Sequence, residues 1–538
     1  MKKLVSRFMA VLMAMTMILS MSMTAFATEA PKGTLTVNNT VAEKTLDLYQ
    51  IFTATKNGEN VAYTLNSAYE GFFKNNTRIP GSESLTGEAL SEKAYEYVKT
   101  QVGEDGKNGT GFAKEILGWI LANADTVAAT HTIVTTTANT TVIRDLAYGY
   151  YVVYPLGATD TSAAPGEQDY TSVASLVSVT GDTSINMKSN YPTVVKKVND
   201  KTADDVNIGD TVTYTLTSKV PDMTGYTSYV FNFKDTLSAG LTFKEITSVT
   251  VGETTITKVD AGQEANDTYT LTQTGQNITI TMNNFLASNA NKVGQEIKVT
   301  YTVTLNKDAV TGFDANKNSA TVEYSNKPGT DNKGESEPSI VDVHTFNFTI
   351  FKYYLKGADK TGLANAEFEL YKANEAGDAA DENAKINIVD EGKGVYRQAT
   401  ADEAKVTGFT SAKIVSDDDG KVLVKGLDAG SYYLRETKAP EGYNKLLSDI
   451  KIEIKPVYDE TTGKLTSYSV DYTYNGTKTT GTAITSKDNS PEVAVENKTG
   501  AQLPSTGSKG ALMVTLAGIV LFGALTASKA FGKKKANN

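Results

Sequence analysis

Ile297, Val299, Tyr301, Val303 and Leu305 alternate with Lys298, Thr300, Thr302 and Thr304. A repeat of two puts the five apolar side chains on one face of an extended chain and the polar ones on the other. On a helix the same residues would be scattered around the axis, so this stretch is constrained to be a half-buried β-strand. The alternation returns at Val212, Tyr214 and Leu216 and again at Ile278, Ile280 and Met282, with turn residues between and no helical period. Further along, Phe346 to Lys352, Glu367 to Tyr371, Lys421 to Val424, Ser431 to Glu436 and Glu492 to Asn497 are strand candidates of the same kind. Asp417-Asp418-Asp419-Gly420 falls between two of them; its carboxylates are adjacent, not alternate, and no glutamate stands at the twelfth position. That spacing predicts a polar hairpin turn in place of a calcium loop.

The pattern predicts a mainly β chain of tandem immunoglobulin-like sandwiches, one over 191–340 and one over 341–500. The region 28–190 is mixed. It opens on strands at Thr34 to Val37 and Thr45 to Tyr49 and closes on Tyr148 to Tyr154 and Val173 to Val179. Between them Ser91 to Val102, and then Phe112, Ile116, Trp119 and Ile120, follow helical spacing, so this is a β-domain with helical insertions and Trp119 in its core. Thr183 to Pro192 is predicted to be a linker. If it is extended, Ile185 and Met187 share one face and Asn186 and Lys188 the other, which aims Lys188 at solvent.

Several polar residues fall on apolar faces. In 191–340 the faces are Val194, Lys196 and Val198; Phe231, Phe233 and Asp235; and Asn318, Ala320, Val322 and Tyr324. In 341–500 they are Phe346, Phe348, Ile350 and Lys352; Tyr432, Leu434 and Glu436; and Val493, Val495 and Asn497. Each domain thus aims a lysine from its first strand, a carboxylate from its middle and an asparagine from its last strand at the core. A buried unpaired charge costs several kcal/mol. Burial, however, depresses a lysine toward the neutral amine and raises an acid toward the protonated carboxyl. Such an amine can attack the asparagine carboxamide while the acid relays protons and ammonia leaves. Fixed geometry supplies an effective molarity of roughly 10⁵ M or more.

The two ends suggest export and anchoring. Lys2, Lys3 and Arg7 precede an apolar run from Phe8 to Met23, and Ala25-Phe26-Ala27 has the small-x-small pattern of a signal-peptidase site, with cleavage between Ala27 and Thr28. Near the other end, Leu503-Pro504-Ser505-Thr506-Gly507 precedes an uncharged run from Ala511 to Ser528 and then Lys529, Lys533, Lys534 and Lys535. As a helix that run would span about 27 Å, enough to cross a bilayer, with the lysines on the cytoplasmic side. Removing 1–27 and 507–538 would move the formal net charge from −10 to −18. So acidic a product disfavours nucleic acid or anionic membrane as a partner. The chain has no cysteine and only two histidines, His131 and His344, so neither disulfides nor a zinc site nor a His-based triad is expected. No cofactor is expected either.

The pentapeptide, apolar span and basic tail resemble the sorting signal of Gram-positive surface proteins, and that resemblance implies sortase cleavage of the Thr506–Gly507 bond. Gly362-Leu363, Ala366 to Tyr371 and Leu434-Arg435-Glu436-Thr437-Lys438-Ala439-Pro440-Glu441-Gly442-Tyr443 resemble the B-type repeat of collagen adhesins. Pro192 to Lys197 and Asn318-Ser319-Ala320 are similar to the corresponding segments of sortase-assembled backbone pilins, and the family likeness extends over all of the processed chain. The resemblance implies Lys352 bonded to Asn497 with Glu436 as the acid, and Lys196 bonded to Asn318 with Asp235 as the acid. Lys197 is the alternative to Lys196, which the face argument favours. In the first region Gly149-Tyr150-Tyr151 is similar to Gly430-Ser431-Tyr432-Tyr433, but Tyr154 stands about where the acid should be, so no internal bond is expected there. The family's Tyr-Pro-Lys acceptor is here Asn186-Met187-Lys188.

The expectation is therefore a structural subunit of a surface pilus, organised as signal peptide 1–27, N-terminal domain 28–190, two isopeptide domains, and sorting signal, span and tail 501–538. Its implied partners are a pilin-specific sortase, identical subunits joined Thr506 to Lys188, minor pilins, and peptidoglycan through a housekeeping sortase, with membrane contact only before sorting. The alternatives are a monomeric wall-anchored adhesin or a tip or basal pilin. A surface enzyme is disfavoured by the missing cysteine and the absence of a nucleophile motif.

Overall fold

The computed structural model describes residues 31–103, 108–136, 139–159, 173–187 and 190–500. It is a tandem of three β-rich units. In the first, a three-stranded sheet (Thr140–Ala147, Lys32–Asn38, Thr183–Asn186) faces a five-stranded one built on Asn60–Leu65, Thr45–Asn57, Gly149–Pro155 and Ser175–Val179, with His131–Val134 beside Thr45–Asn57. Leu46, Leu48, Tyr151 and Val153 fill the space between the sheets, while Tyr49, Ile51, Val152 and Tyr154 face the helices Gly87–Val102 and Gly109–Ala122. The central strands are thus covered on both faces, which is why they read as continuous apolar runs. Trp119 packs against Tyr69 and Phe72 in the helical layer.

The stretch predicted as a linker is in part a strand. Thr183–Asn186 pairs parallel with Lys32–Asn38, and Met187 is buried in the sheet-to-sheet core. The alternation of Ile185 and Met187 turns one face of this segment to the core as it pairs.

The second unit is a sandwich. One sheet runs Ala203–Asp205, Ser339–His344, Asn316–Ser325, Phe231–Leu237, Asn277–Met282, Thr268–Thr274, and the other Leu241–Val251, Glu296–Leu305, Thr211–Lys219, Val195–Val198. Both inner faces contribute to one continuous core, including Val212, Phe233, Ile280 and Val299. A helix at Phe285–Asn289 was not anticipated; five residues are too few to show a helical period. Asn318 also departs from the expected position. Its strand is followed in the same sheet by Ser339–His344, so it does not lie on the last strand of this domain.

In the third unit Asp359–Gly362, Phe346–Lys356, Lys421–Leu427, Val395–Gln398 and Ile388–Gly392 form one sheet, with Glu492–Glu496 parallel to Phe346–Lys356. The second is Ala380–Lys385, Glu367–Ala373, Gly430–Lys438, Ile450–Tyr458, Leu465–Tyr474 and Thr477–Thr479. Asp417–Gly420 is a tight turn in which Asp417 Oδ1 accepts from the backbone N–H groups of Asp419 (3.1 Å) and Lys421 (2.7 Å). Among the described residues no helix is long and apolar enough to cross a membrane.

Candidate functional site

Two clusters stand out among the buried polar residues. In the second domain, Lys196 lies on the edge strand Val195–Val198, where pairing with Thr211–Lys219 sets Lys196 opposite Leu216. The strand's alternation turns Lys196 inward with Val194 and Val198, and leaves Val195 and Lys197 exposed. The Lys196 N–H donates to Ser339 Oγ at 2.9 Å, tying this edge to the opposite sheet. Asp235 and Asn318 come from neighbouring antiparallel strands of that opposite sheet, in which Asp235 pairs with Ala320 and Leu237 with Asn318.

All three side chains are buried, and a fourth joins them. Lys196 Nζ donates to Asp235 Oδ2 and, at 2.5 Å, to the Tyr301 hydroxyl. Tyr301 donates to Asp235 Oδ2 at 2.6 Å and accepts from Asn318 Nδ2 at 3.0 Å. Its ring stacks on Tyr214 with centroids 5.4 Å apart, and the ammonium sits 4.9 Å from the Tyr214 centroid. Burial lowers the Lys196 amine to about 8, against the opposing pull of Asp235. Burial, with Asp235 second, pushes the Tyr301 phenol well above its ordinary value, so the hydroxyl keeps its proton. Asn318 Oδ1 and Asp235 Oδ1 are buried without a protein hydrogen-bond partner.

In the third domain Lys352 and Asn497 belong to one sheet. Lys352 pairs with Val495 across the parallel strands, and the Asn497 N–H continues that ladder to the Tyr353 carbonyl at 2.9 Å. The Lys352 backbone is clamped by the neighbouring turns. Its N–H donates to Gly420 O at 2.6 Å, and its carbonyl accepts from Leu363 N at 2.8 Å. Gly420 has φ +74°, and a Cβ there would stand 2.2 Å from the Lys352 carbonyl oxygen, so only glycine lets the turn approach so closely. Glu436 reaches in from the other sheet. Lys352 Nζ donates to Asn497 Oδ1 and pairs with Glu436 Oε1 at 2.9 Å. Asn497 Nδ2 donates to the same Oε1 at 3.1 Å, and Leu446 N–H holds Oε2 at 2.7 Å. Burial lowers the Lys352 amine to about 8 as well.

Each cluster therefore gathers a desolvated amine, a carboxamide and a carboxylic group away from water, in direct hydrogen-bond contact in the third domain and with the carboxamide reached through the Tyr301 hydroxyl in the second. Amide exchange with loss of ammonia is the chemistry this set can perform. Alternation alone assigns 297–305 five inward apolar positions and is silent on the hydroxyl that one of them, Tyr301, brings to the cluster. A tyrosine in an otherwise aliphatic inward run was the available signal, because a buried phenol needs a partner. In the first domain Tyr154 faces the helical core, and among its described residues no lysine is buried. Among the described residues no group of three or more His, Asp or Glu is placed to hold a metal ion. Ala27, Thr28, Lys188 and Leu503 to Gly507 lie outside the described residues.

Residues 208–328 match the family described as Gram-positive pilin backbone subunit 2, Cna-B-like domain, and residues 353–469 match a prealbumin-like fold domain. The first match contains Asp235, Tyr301 and Asn318, and the second contains Glu436; Lys352 immediately precedes the second, and Lys196 and Asn497 lie outside both. The trypsin-resistant surface T6 protein of Streptococcus pyogenes serotype M6 is 27% identical over 349 residues, 58% of this chain and 53% of that protein. Fimbrial subunit type 2 of Actinomyces naeslundii is 29% identical over 279 residues, 49% of this chain and 50% of that protein. The chain thus matches along about half the length of these curated relatives. Among solved structures, the T6 backbone pilin of S. pyogenes aligns over 88% of this chain and 100% of its own, at 15% identity and a TM-score of 0.47.

Proposed function

We propose, from the kinship of this chain with the Gram-positive backbone pilins, that it is the structural subunit of a covalent surface pilus. A sortase cleaves Thr506–Gly507, and Lys188 of the next subunit takes up the Thr506 carbonyl. Repetition gives a chain of identical subunits, to which minor pilins are added and which a housekeeping sortase links to peptidoglycan. The protein is a sortase substrate that modifies itself once per bond and has no turnover of its own. The observation that carries this reading is the third-domain cluster, where one lysine touches both the carboxamide it would attack and the acid that would serve it.

In that cluster the amine nitrogen of Lys352 bonds to the side-chain carbonyl carbon of Asn497, the C–Nδ2 bond breaks, and Nδ2 leaves as ammonia. Glu436 Oε1 contacts both nitrogens, so a proton given up by one can be delivered to the other through a single oxygen. The product ties the domain's first long strand to the residue after its last. Tension entering near Phe346 and leaving beyond Asn497 then runs through covalent bonds and bypasses the sheet. In the second domain Lys196 would be joined to Asn318, so the segment from Asn318 to His344 stays in the loaded path.

The polymer is tested on muramidase-released wall protein, immunoblotted for this chain after boiling in denaturant. A ladder in the native chain that collapses to monomer in Lys188→Ala is the expected result. A single wall-linked band in the native chain would favour the monomeric adhesin, and a ladder surviving the substitution would remove Lys188 as the acceptor.

A further inference from the structure

Asp235 and Glu436 are asked to do the same work with side chains that differ by one methylene. In the third domain Glu436 Oε1 reaches both the amine and the amide nitrogen. In the second, Asp235 Oδ2 reaches Lys196, but the hydrogen bond from Asn318 Nδ2 ends on Tyr301. The Tyr301 hydroxyl is the one group in contact with all three other members of the cluster.

We propose that Tyr301 is a catalytic residue of bond formation in the second domain, its hydroxyl carrying a proton from Asp235 to the departing nitrogen of Asn318. The inference rests on the reading that Lys196 and Asn318 become joined. A tyrosine hydroxyl has one hydrogen to donate and accepts through its oxygen. It now donates to Asp235 and accepts from both nitrogens. Once Asp235 takes a proton from the Lys196 ammonium, it becomes the donor to Tyr301 Oη, which frees the hydroxyl hydrogen to turn toward Asn318 Nδ2. The Lys196 nitrogen attacks Cγ of Asn318 and forms the new C–N bond. As the Cγ–Nδ2 bond breaks, Nδ2 takes the Tyr301 proton and leaves as ammonia, while Tyr301 is re-protonated from Asp235. The lysine nitrogen gives up two protons in all, one departing with ammonia and one remaining on Asp235, and Tyr301 ends unchanged. The high affinity of this buried phenol for its proton suits a relay that never holds a phenolate.

The test uses the full chain made by cell-free synthesis, sampled over time and digested, with the Lys196–Asn318 and Lys352–Asn497 crosslinked peptides followed by mass spectrometry. Tyr301→Phe is expected to slow the second-domain link by about 100-fold or more and leave the third-domain link unchanged. Formation of the second-domain link at the native rate would overturn the proposal. Its absence from the native chain would remove the underlying reading, a result distinguishable from the first. Because a misfolded second domain would also fail to link, a chain with 2,3,5-trifluorotyrosine at 301 is run in parallel. That residue keeps the ring and makes the hydroxyl more acidic, so a relay shifts the pH profile of linking; an unshifted profile overturns the proposal.

Discussion

The second and third domains assemble the same three residue types in two different frames. In the third, the lysine lies on one strand, the asparagine immediately follows the parallel strand beside it in the same sheet, and the acid comes from across the core. In the second, the lysine comes from one sheet, and the acid and asparagine come together from the other. In the first frame the longer acid touches both nitrogens. In the second the shorter acid touches the amine, and Tyr301, a member of the lysine's own sheet, touches the amide. The difference teaches that contact between a buried carboxyl and an amide is decided by where the strands put them: it is direct for Glu436 and bridged by a hydroxyl for Asp235.

The comparison is broken most forcefully by removing one lysine at a time. Lys352→Ala removes the lysine of the proposed crosslink, which would close a loop of 145 residues and be worth about 5 kcal/mol in a chain-entropy model, and strands a buried carboxylate. The third-domain unfolding transition is expected to fall by about 15 °C or more in calorimetry, with the second-domain transition in place. Lys196→Ala should do the reverse. A common drop of both transitions in either variant would mean that the two clusters are not independent.

A smaller effect separates linked from unlinked lysine. In Asn497→Ala no bond can form, and Lys352 stays an amine held by burial at about 8 in the fold, against an ordinary 10.5. The unfolded chain then binds the proton more tightly, so stability rises with pH between about 8 and 10.5, by roughly 1.4 kcal/mol per unit at most. With the proposed bond formed, that nitrogen in the native chain would be an amide unable to titrate, so denaturant midpoints of the third domain should show no such rise. A parallel rise in both chains would mean that Lys352 is free in the native protein. The smallest effect belongs to Lys197→Ala, at an exposed position beside Lys196. It should leave both crosslinked peptides intact and shift second-domain stability by no more than about 0.5 kcal/mol. Loss of the second-domain link there would reverse the choice between the two lysines.

Alternation alone was enough to read the β-rich tandem and to put Lys196, Asp235, Asn318, Lys352, Glu436 and Asn497 on inward faces, because a strand's period of two decides which face each residue takes. Helical spacing in the same way marked the helices of the first domain. Pairing was beyond the reach of alternation. That Thr183–Asn186 joins a sheet, that Asn318 is not on the last strand of its domain, and that Asp235 stops short of the amide depend on which strands become neighbours. Tyr301 shows the limit most clearly. Its inward direction was legible in the sequence. Its partners were decided only when two sheets closed over the lysine, because contacts across a core depend on how faces are stacked and not on spacing along any one strand.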